Sequence, residues 1–272
     1  MPEIFSQPAR SVADYQVHKN GGRRYKLPHP VTGELQYWTS ATTLAGAAKD
    51  SYAIHEWDTR VLLSGISMRP DLVDAAAAAE TVQEYKEVAD RCRDAGGGNY
   101  GSTMGSAIHK YSEHADNGRW DLIPQNRWPL VKAYYRALED SGIVPLREFT
   151  EQVVVVPEVG VAGCVDRVIE LDDILYIGDV KTSKDIKYGL GDFAVQLALY
   201  AHATHIWDVE TESYLHMPTV DQTKAAIFWL PLDPGDECRI VWLDIAAGWD
   251  MVPTLMDVRR YRSSVSRLVL DS

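Results

Sequence analysis

The chain has 272 residues, 46% hydrophobic and 24% charged, with a formal net charge of −12. These are globular proportions, with length enough for one large domain or for a core carrying an appended module. No apolar run approaches the ~18 residues needed to span a bilayer. The opening "MPEIFSQPARSVADYQ" lacks the basic-then-apolar plan of a secretory signal. Three isolated cysteines (Cys92, Cys164, Cys238) without a CxxC point to a reducing cytoplasm and exclude a zinc ribbon or disulfide framework. An acidic total repels polyanions at long range, so a nucleic-acid partner has to be held locally, by clustered Lys and Arg or by bound metal ions.

Residues 1–50 read as irregular or short-strand structure, with turns at "NGGRR" and "HPVTGE". After Asp50, an N-cap candidate, Ile54, Trp57, Val61 and Leu62 recur at helical spacing. A second helix is expected over 71–93, including "DAAAAAE". The glycine-rich "DAGGGNYGS" then breaks the chain, which sets a mainly helical N-terminal region (1–98) against a core (99–272). Residues 103–117 regain helical period, with Met104, Ile108, Tyr111 and Ala115 on one stripe, and "RWPLVKAYYRALEDSG" forms another helix ending at Gly142. Strands are expected over 147–157, 160–171 and 174–181, followed by the apolar helix "LGDFAVQLALYAHATHIW". Two strands, "AAIFWLPL" and "CRIVWLD", and a helix over 246–267 close the chain. The order implies an α/β core with a mixed sheet.

The segments around Cys164 and Ile177 meet at Asp172-Asp173. A tight antiparallel hairpin centred there pairs residue i with 345 − i, which sets Asp166 opposite Asp179. Opposed residues share a face, with Cβ atoms roughly 4.5–5.5 Å apart. Lys181, two residues beyond Asp179, projects from the same face. Two such carboxylates demand a counter-charge; a divalent cation balances both, and a structural Asp–Lys cross-strand pair is the competing reading. In "GSTMGSAIHKYSEHA", His109 and Glu113 stand four apart, away from the apolar stripe, as ligand candidates or surface residues. Gln196 and Tyr200 form a polar pair on an apolar helix and need partners, in a site or in local core hydrogen bonds. Glu151 starts a strand, where an isolated acid is ordinarily solvated.

In order along 100–205, "GSAIHKYSE", "TEQVVV", "AGCVDRV", "GDVKTS" and "QLALY" resemble the PD-(D/E)XK nuclease superfamily, in its RecB-like and phage-exonuclease branch. "YWTSATTLAGAAKD" (37–50) is similar to the Ser/Thr-rich N-terminal entry of phage members. Each motif alone is weak, and five in order are specific. The resemblance implies a restriction-endonuclease-like core, a mixed central sheet flanked by helices. It also implies His109, Asp166, Asp179 and the Val180 carbonyl as ligands of one or two Mg²⁺ or Mn²⁺ ions. Lys181 then positions the attacking water, Gln196 and Tyr200 brace the site, and Glu113 and Glu151 orient ligands or hold a second ion through water. Relatives carrying an iron–sulfur cluster need four cysteines, and this chain has three; no cluster is expected.

The implied activity is metal-dependent hydrolysis of DNA, 5′→3′ from linear ends, in recombination, repair or phage DNA processing. The implied setting is the cytoplasm of a bacterium or a phage-infected host, with a recombinase or annealing protein as companion and, as in related rings, a homo-oligomer. Basic candidates for phosphate contact are Arg91, Arg93, Lys184, Lys187 and the C-terminal Arg259, Arg260, Arg262 and Arg267, each of which can equally be an ordinary solvated charge. Ser40, Thr42 and Thr43 are candidates for phosphate contact or for a helix cap, and Trp38 and Trp57 for base stacking or core packing. Two rival readings are a catalytically silent DNA-end-binding scaffold on the same fold and an endonuclease that cuts flaps or branches; RNA is a less favoured substrate.

Overall fold

A computed structural model describes residues 15–17, 23–232, 235 and 237–265. Arg267 and the last residues of the expected C-terminal helix lie outside them. The chain opens with an antiparallel run, β1 (Tyr15–Val17), β2 (Arg23–Pro28) and β3 (Leu35–Ser40), which leads into α1 (Ala41–Ala45). Helix α2 (Tyr52–Met68) begins just after Asp50, whose Oδ1 accepts from the Tyr52 N–H at 2.9 Å. The single helix expected over 71–93 is two, α3 (Asp71–Ala78) and α4 (Val82–Ala95). The break is a capping box. Thr81 Oγ1 accepts from the Glu84 N–H at 3.2 Å, while the Glu84 carboxylate accepts from the Thr81 N–H at 2.8 Å.

Helix α5 (Gly98–Asp116) starts five residues earlier than its apolar stripe suggests, directly after Gly97, and α6 (Trp128–Ser141) stops at Gly142 in a left-handed conformation. Strands β4 (Val144–Leu146), β5 (Gln152–Val156), β6 (Val161–Val165), β7 (Arg167–Leu171) and β8 (Ile174–Lys181) follow. Helix α7 (Leu190–Ala201) ends sooner than expected, because "HIWD" is strand β9 (His205–Asp208). Ile206 and Trp207 alternate onto opposite faces of the sheet, into two different apolar clusters, as a strand requires. Strands β10 (Ser213–His216), β11 (Lys224–Trp229) and β12 (Arg239–Asp244) and helix α8 (Ala246–Ser263) complete the chain.

The protein is α/β, with two mixed sheets in place of the one central sheet expected. The first runs β1-β2-β3-β6-β5-β9-β10 and the second β12-β11-β8-β7-β4. Parallel pairing occurs at β3/β6 in one and at β8/β11 in the other. The N-terminal strands thus belong to the same sheet as β5 and β6, and α1 packs into the shared core. That core holds Val154, Val161 and Val165 from the first sheet, Val168, Ile177 and Ile227 from the second, and Leu197, Leu199 and Val252 from α7 and α8. The far face of the second sheet (Ile169, Tyr176, Val180, Phe228) is covered by Ile108 of α5 and by Tyr134 and Leu138 of α6. Among the described residues no helix is long and apolar enough to cross a membrane.

The expected strand over 160–171 is interrupted at Asp166, where the chain leaves one sheet and enters the other. This residue stands between two ladders, one ending at Val165 and the other beginning at Arg167. Strands β7 and β8 pair Arg167 with Gly178 and Val168 with Ile177, the register anticipated from the Asp172-Asp173 turn. Both turn residues have positive φ, 51° and 61°, as a two-residue hairpin of right-handed twist demands. Strands β5 and β6 pair Gln152 with Val165, so Glu151 is the next residue opposite Asp166, and its N–H donates to the Asp166 carbonyl at 2.9 Å.

Candidate active site

The fork between the sheets collects acids from three separate stretches of the chain, at Glu151, Asp166 and Asp179. Asp166 Oδ2 accepts from the Val180 N–H at 3.1 Å and lies 3.1 Å from His109 Nδ1, brought in on α5. Helix α5 can come this close because residue 105 is glycine; a Cβ there would stand 2.7 Å from Thr182 Oγ1. One side chain of β8 lies almost completely buried here, Asp179, 1% exposed. Its Oδ2 lies 2.6 Å from Lys181 Nζ but accepts no well-directed hydrogen bond among the described residues. Glu151, at φ 52° immediately before β5, accepts from Cys164 Sγ at 3.3 Å. Ligand atoms of His109, Glu151 and Asp166 lie within 4.8 Å of one another.

Electrostatics at the fork is divided between its members. Burial pushes the Asp166 carboxyl up, but His109, Lys181 and Arg167 outweigh it and hold the group well below the ordinary carboxylate range. Burial and the neighbouring Asp166 push Asp179 up, against the pull of Lys181 and His109. The Glu151 carboxyl is raised to about 7, first by burial and then by Asp166. For Lys181 and His109 burial lowers the pKa, and the adjacent carboxylates more than reverse it, so both stay cationic more readily than usual. The carboxylates of Glu151 and Asp166 and the His109 imidazole could hold a metal ion through O and N ligands, with Asp179 buried beside them.

The remaining expected residues fall in three places. Gln196 and Tyr200 are one turn apart on α7, where Gln196 Nε2 donates to Tyr200 Oη at 3.1 Å. The Tyr200 ring lies against Gly163 of β6; a Cβ at 163 would meet Tyr200 Cε1 at 2.6 Å. Glu113 sits one turn beyond His109, ion-paired to Lys110 at 2.8 Å. Ser40 caps α1, its Oγ accepting from the Thr43 N–H at 3.1 Å and donating to Thr43 Oγ1 at 2.8 Å, and Thr42 is exposed beside it. Several basic candidates are already tied: Arg91 to Asp71, Arg93 to Asp58 and Asp90, Lys187 to Asp185, and Arg260 to Asp257. Arg259 is half-buried and donates to the Thr43 carbonyl at 3.4 Å, Arg262 is exposed on the last turn of α8, and Lys184 is exposed after β8. Trp38 is fully buried, with its Nε1–H on the Leu27 carbonyl, whereas Trp57 is 44% exposed.

Two features escaped the reading of the sequence. Phe193, on the first turn of α7, stacks its ring 4.7 Å from Lys181 Nζ. Arg167, next to Asp166 but on the opposite face, is fully buried; its Nε lies 3.3 Å from Asp116 Oδ2 and one Nη donates to Ser112 Oγ at 3.1 Å. Tyr134 Oη donates to the same Asp116 carboxylate at 3.0 Å. This network pins α5 and α6 behind the fork, and its signal was a charge at the start of an otherwise apolar "RVI" strand. No protein-family model matches the chain, and no curated protein matches it at a significant level.

Proposed function

We propose that the protein is a Mg²⁺- or Mn²⁺-dependent deoxyribonuclease, built on a restriction-endonuclease-like core and hydrolysing phosphodiester bonds at linear DNA ends. The observation that carries the reading is the fork itself: Asp166, between β6 and β7, is near enough to Asp179 of β8 to raise its carboxyl, with Lys181 2.6 Å from Asp179 and His109 3.1 Å from Asp166. His109, Asp166 and Glu151, whose ligand atoms lie within 4.8 Å of one another, would hold the ion, and Asp179 is the further ligand that the motif resemblance implies. A divalent ion in such a site supplies Lewis-acid polarisation of the phosphate and a water of lowered pKa.

The residues of the chain do the rest. Lys181 stays an ammonium because Asp179 and Asp166 face it, so it donates hydrogen bonds to the nucleophile and to the oxygen on which charge grows, and removes no proton from either. Phe193 restricts its motion from one side. Gln196 holds the Tyr200 hydroxyl by its hydrogen bond, and Tyr200 in turn packs on Gly163 beneath the acid pair. Action from ends, 5′→3′ and in recombination, repair or phage DNA processing, follows the motif resemblance.

The test is loss of an end-labelled linear duplex with Mg²⁺ or Mn²⁺, quenched by EDTA. Asp179→Ala and Lys181→Ala are each expected to abolish cleavage while circular dichroism stays native. Wild-type digestion by either variant removes the assignment, and a metal-independent rate would do the same.

A further inference from the structure

Past Lys181 the chain runs through Thr182–Asp185 along a cleft of about 1790 Å³, walled by α2, α6, the segment after β8 and the first turn of α7. The acids of the fork and Lys181 do not line it, but Thr182, Asp192 and Phe193 do, and Phe193 touches Lys181 from the other side, so the cleft and the site share a wall. Helix spacing puts Trp57 and Arg60 on one face of α2, and Trp128, Lys132 and Arg136 on one face of α6. Trp57 and Tyr188 leave 44% and 62% of their surface exposed in this cleft.

Charge on these walls departs from that of the whole molecule. Among the described residues six cations line the cleft against five acids, in a chain whose net charge is −12. Lys49, Arg60, Lys132 and Arg136 make no ion pair among the described residues, unlike Arg91, Arg93 and Arg260, which hold neighbouring aspartates. Cations without acid partners alternating with exposed rings are what an unpaired strand uses, phosphates on the former and base faces on the latter. A duplex hides its base faces and gains little from such rings.

We propose that this cleft binds single-stranded DNA, with Trp57 and Tyr188 as stacking platforms and Arg60, Lys132 and Arg136 on the phosphates. The proposal rests on the nuclease reading only for what happens at the inner end of the strand. It is tested by fluorescence anisotropy in EDTA, where no cleavage intervenes, using labelled oligo(dT) of about 12 nucleotides, within known single-strand site sizes, and a blunt hairpin duplex. Oligo(dT) is expected to bind more tightly than the duplex. Trp57→Ala is expected to weaken it roughly 5- to 150-fold, with Trp57→Phe retaining most of the binding. Lys132→Ala with Arg136→Ala is expected to flatten the log–log salt slope by about 1.4.

Failure of oligo(dT) to bind overturns the proposal. So does wild-type affinity in both the Trp57→Ala and the double variant, or a duplex that binds as tightly and with the same sensitivity to Trp57. The two readings separate cleanly. Binding through Trp57 by a protein that never cleaves with Mg²⁺ keeps the strand path and removes the hydrolase, whereas Lys181-dependent cleavage indifferent to Trp57→Ala keeps the hydrolase and removes the path.

Discussion

Replacing Glu151 by Gln isolates the electrostatic strain at the fork. The carboxyl is raised from an ordinary 4.5 to about 7 by burial and by Asp166, and at ~1.4 kcal/mol per pKa unit the charged form costs up to about 3 kcal/mol relative to the unfolded chain. The sign follows from linkage. A carboxyl raised by folding favours the native state below its unfolded value, and that contribution is lost as pH climbs through the folded one. Without metal, wild type should therefore lose stability between about pH 4.5 and 7 relative to Glu151→Gln. The left-handed backbone at φ 52° is shared by both proteins and cancels. Urea melts in EDTA should give equal stability at pH 4 and an advantage to the variant at pH 8.5 of up to about 3 kcal/mol. Added Mn²⁺ should narrow the gap, because cation binding stabilises only the folded acid cluster. A pH-independent difference, or a variant less stable than wild type at pH 8.5, refutes the reasoning.

Gly163→Ala places a methyl 2.6 Å from Tyr200 Cε1 and 3.1 Å from Ala41 Cβ, so a loss of about 1–3 kcal/mol is expected in urea melts; Tyr200→Leu in the same chain should recover part of it, and a neutral Gly163→Ala contradicts the packing. Arg167→Met strips the buried Asp116 carboxylate of its counter-charge and should cost about 3–5 kcal/mol at pH 8. Burial already raises the Asp116 carboxyl, so the variant can neutralise it on acidification and the loss should shrink toward pH 5; a loss that ignores pH counts against the network.

The register of β7 and β8 was legible because two aspartates in a two-residue turn fix the hairpin, and period-two alternation then puts Asp166, Asp179 and Lys181 on one face. Glu151 was reached only through the motif resemblance and not through the register. Its proximity comes from a second ladder, β5 with β6, that meets the first only because the chain changes sheets at Asp166. Apolar strands on both sides of that step read as one continuous run, which also concealed the second sheet. The α3/α4 break was present in the T-x-x-E of Thr81 to Glu84 and was masked by good helix formers on both sides. Trp57 sat on a helical stripe that suggested core; most of α2 is in fact solvent-facing, with only Val61 and Gly65 buried, and its ring faces the cleft.

The central claim is that the fork between the two sheets holds a divalent cation, and diffraction from Mn²⁺-soaked crystals at the manganese absorption edge tests it most directly. An anomalous peak is predicted within coordinating reach of the Asp166 and Asp179 carboxylates and the His109 imidazole, and it should vanish in Asp166→Ala. An ordered, solvent-accessible fork that shows no peak at saturating Mn²⁺ contradicts the account.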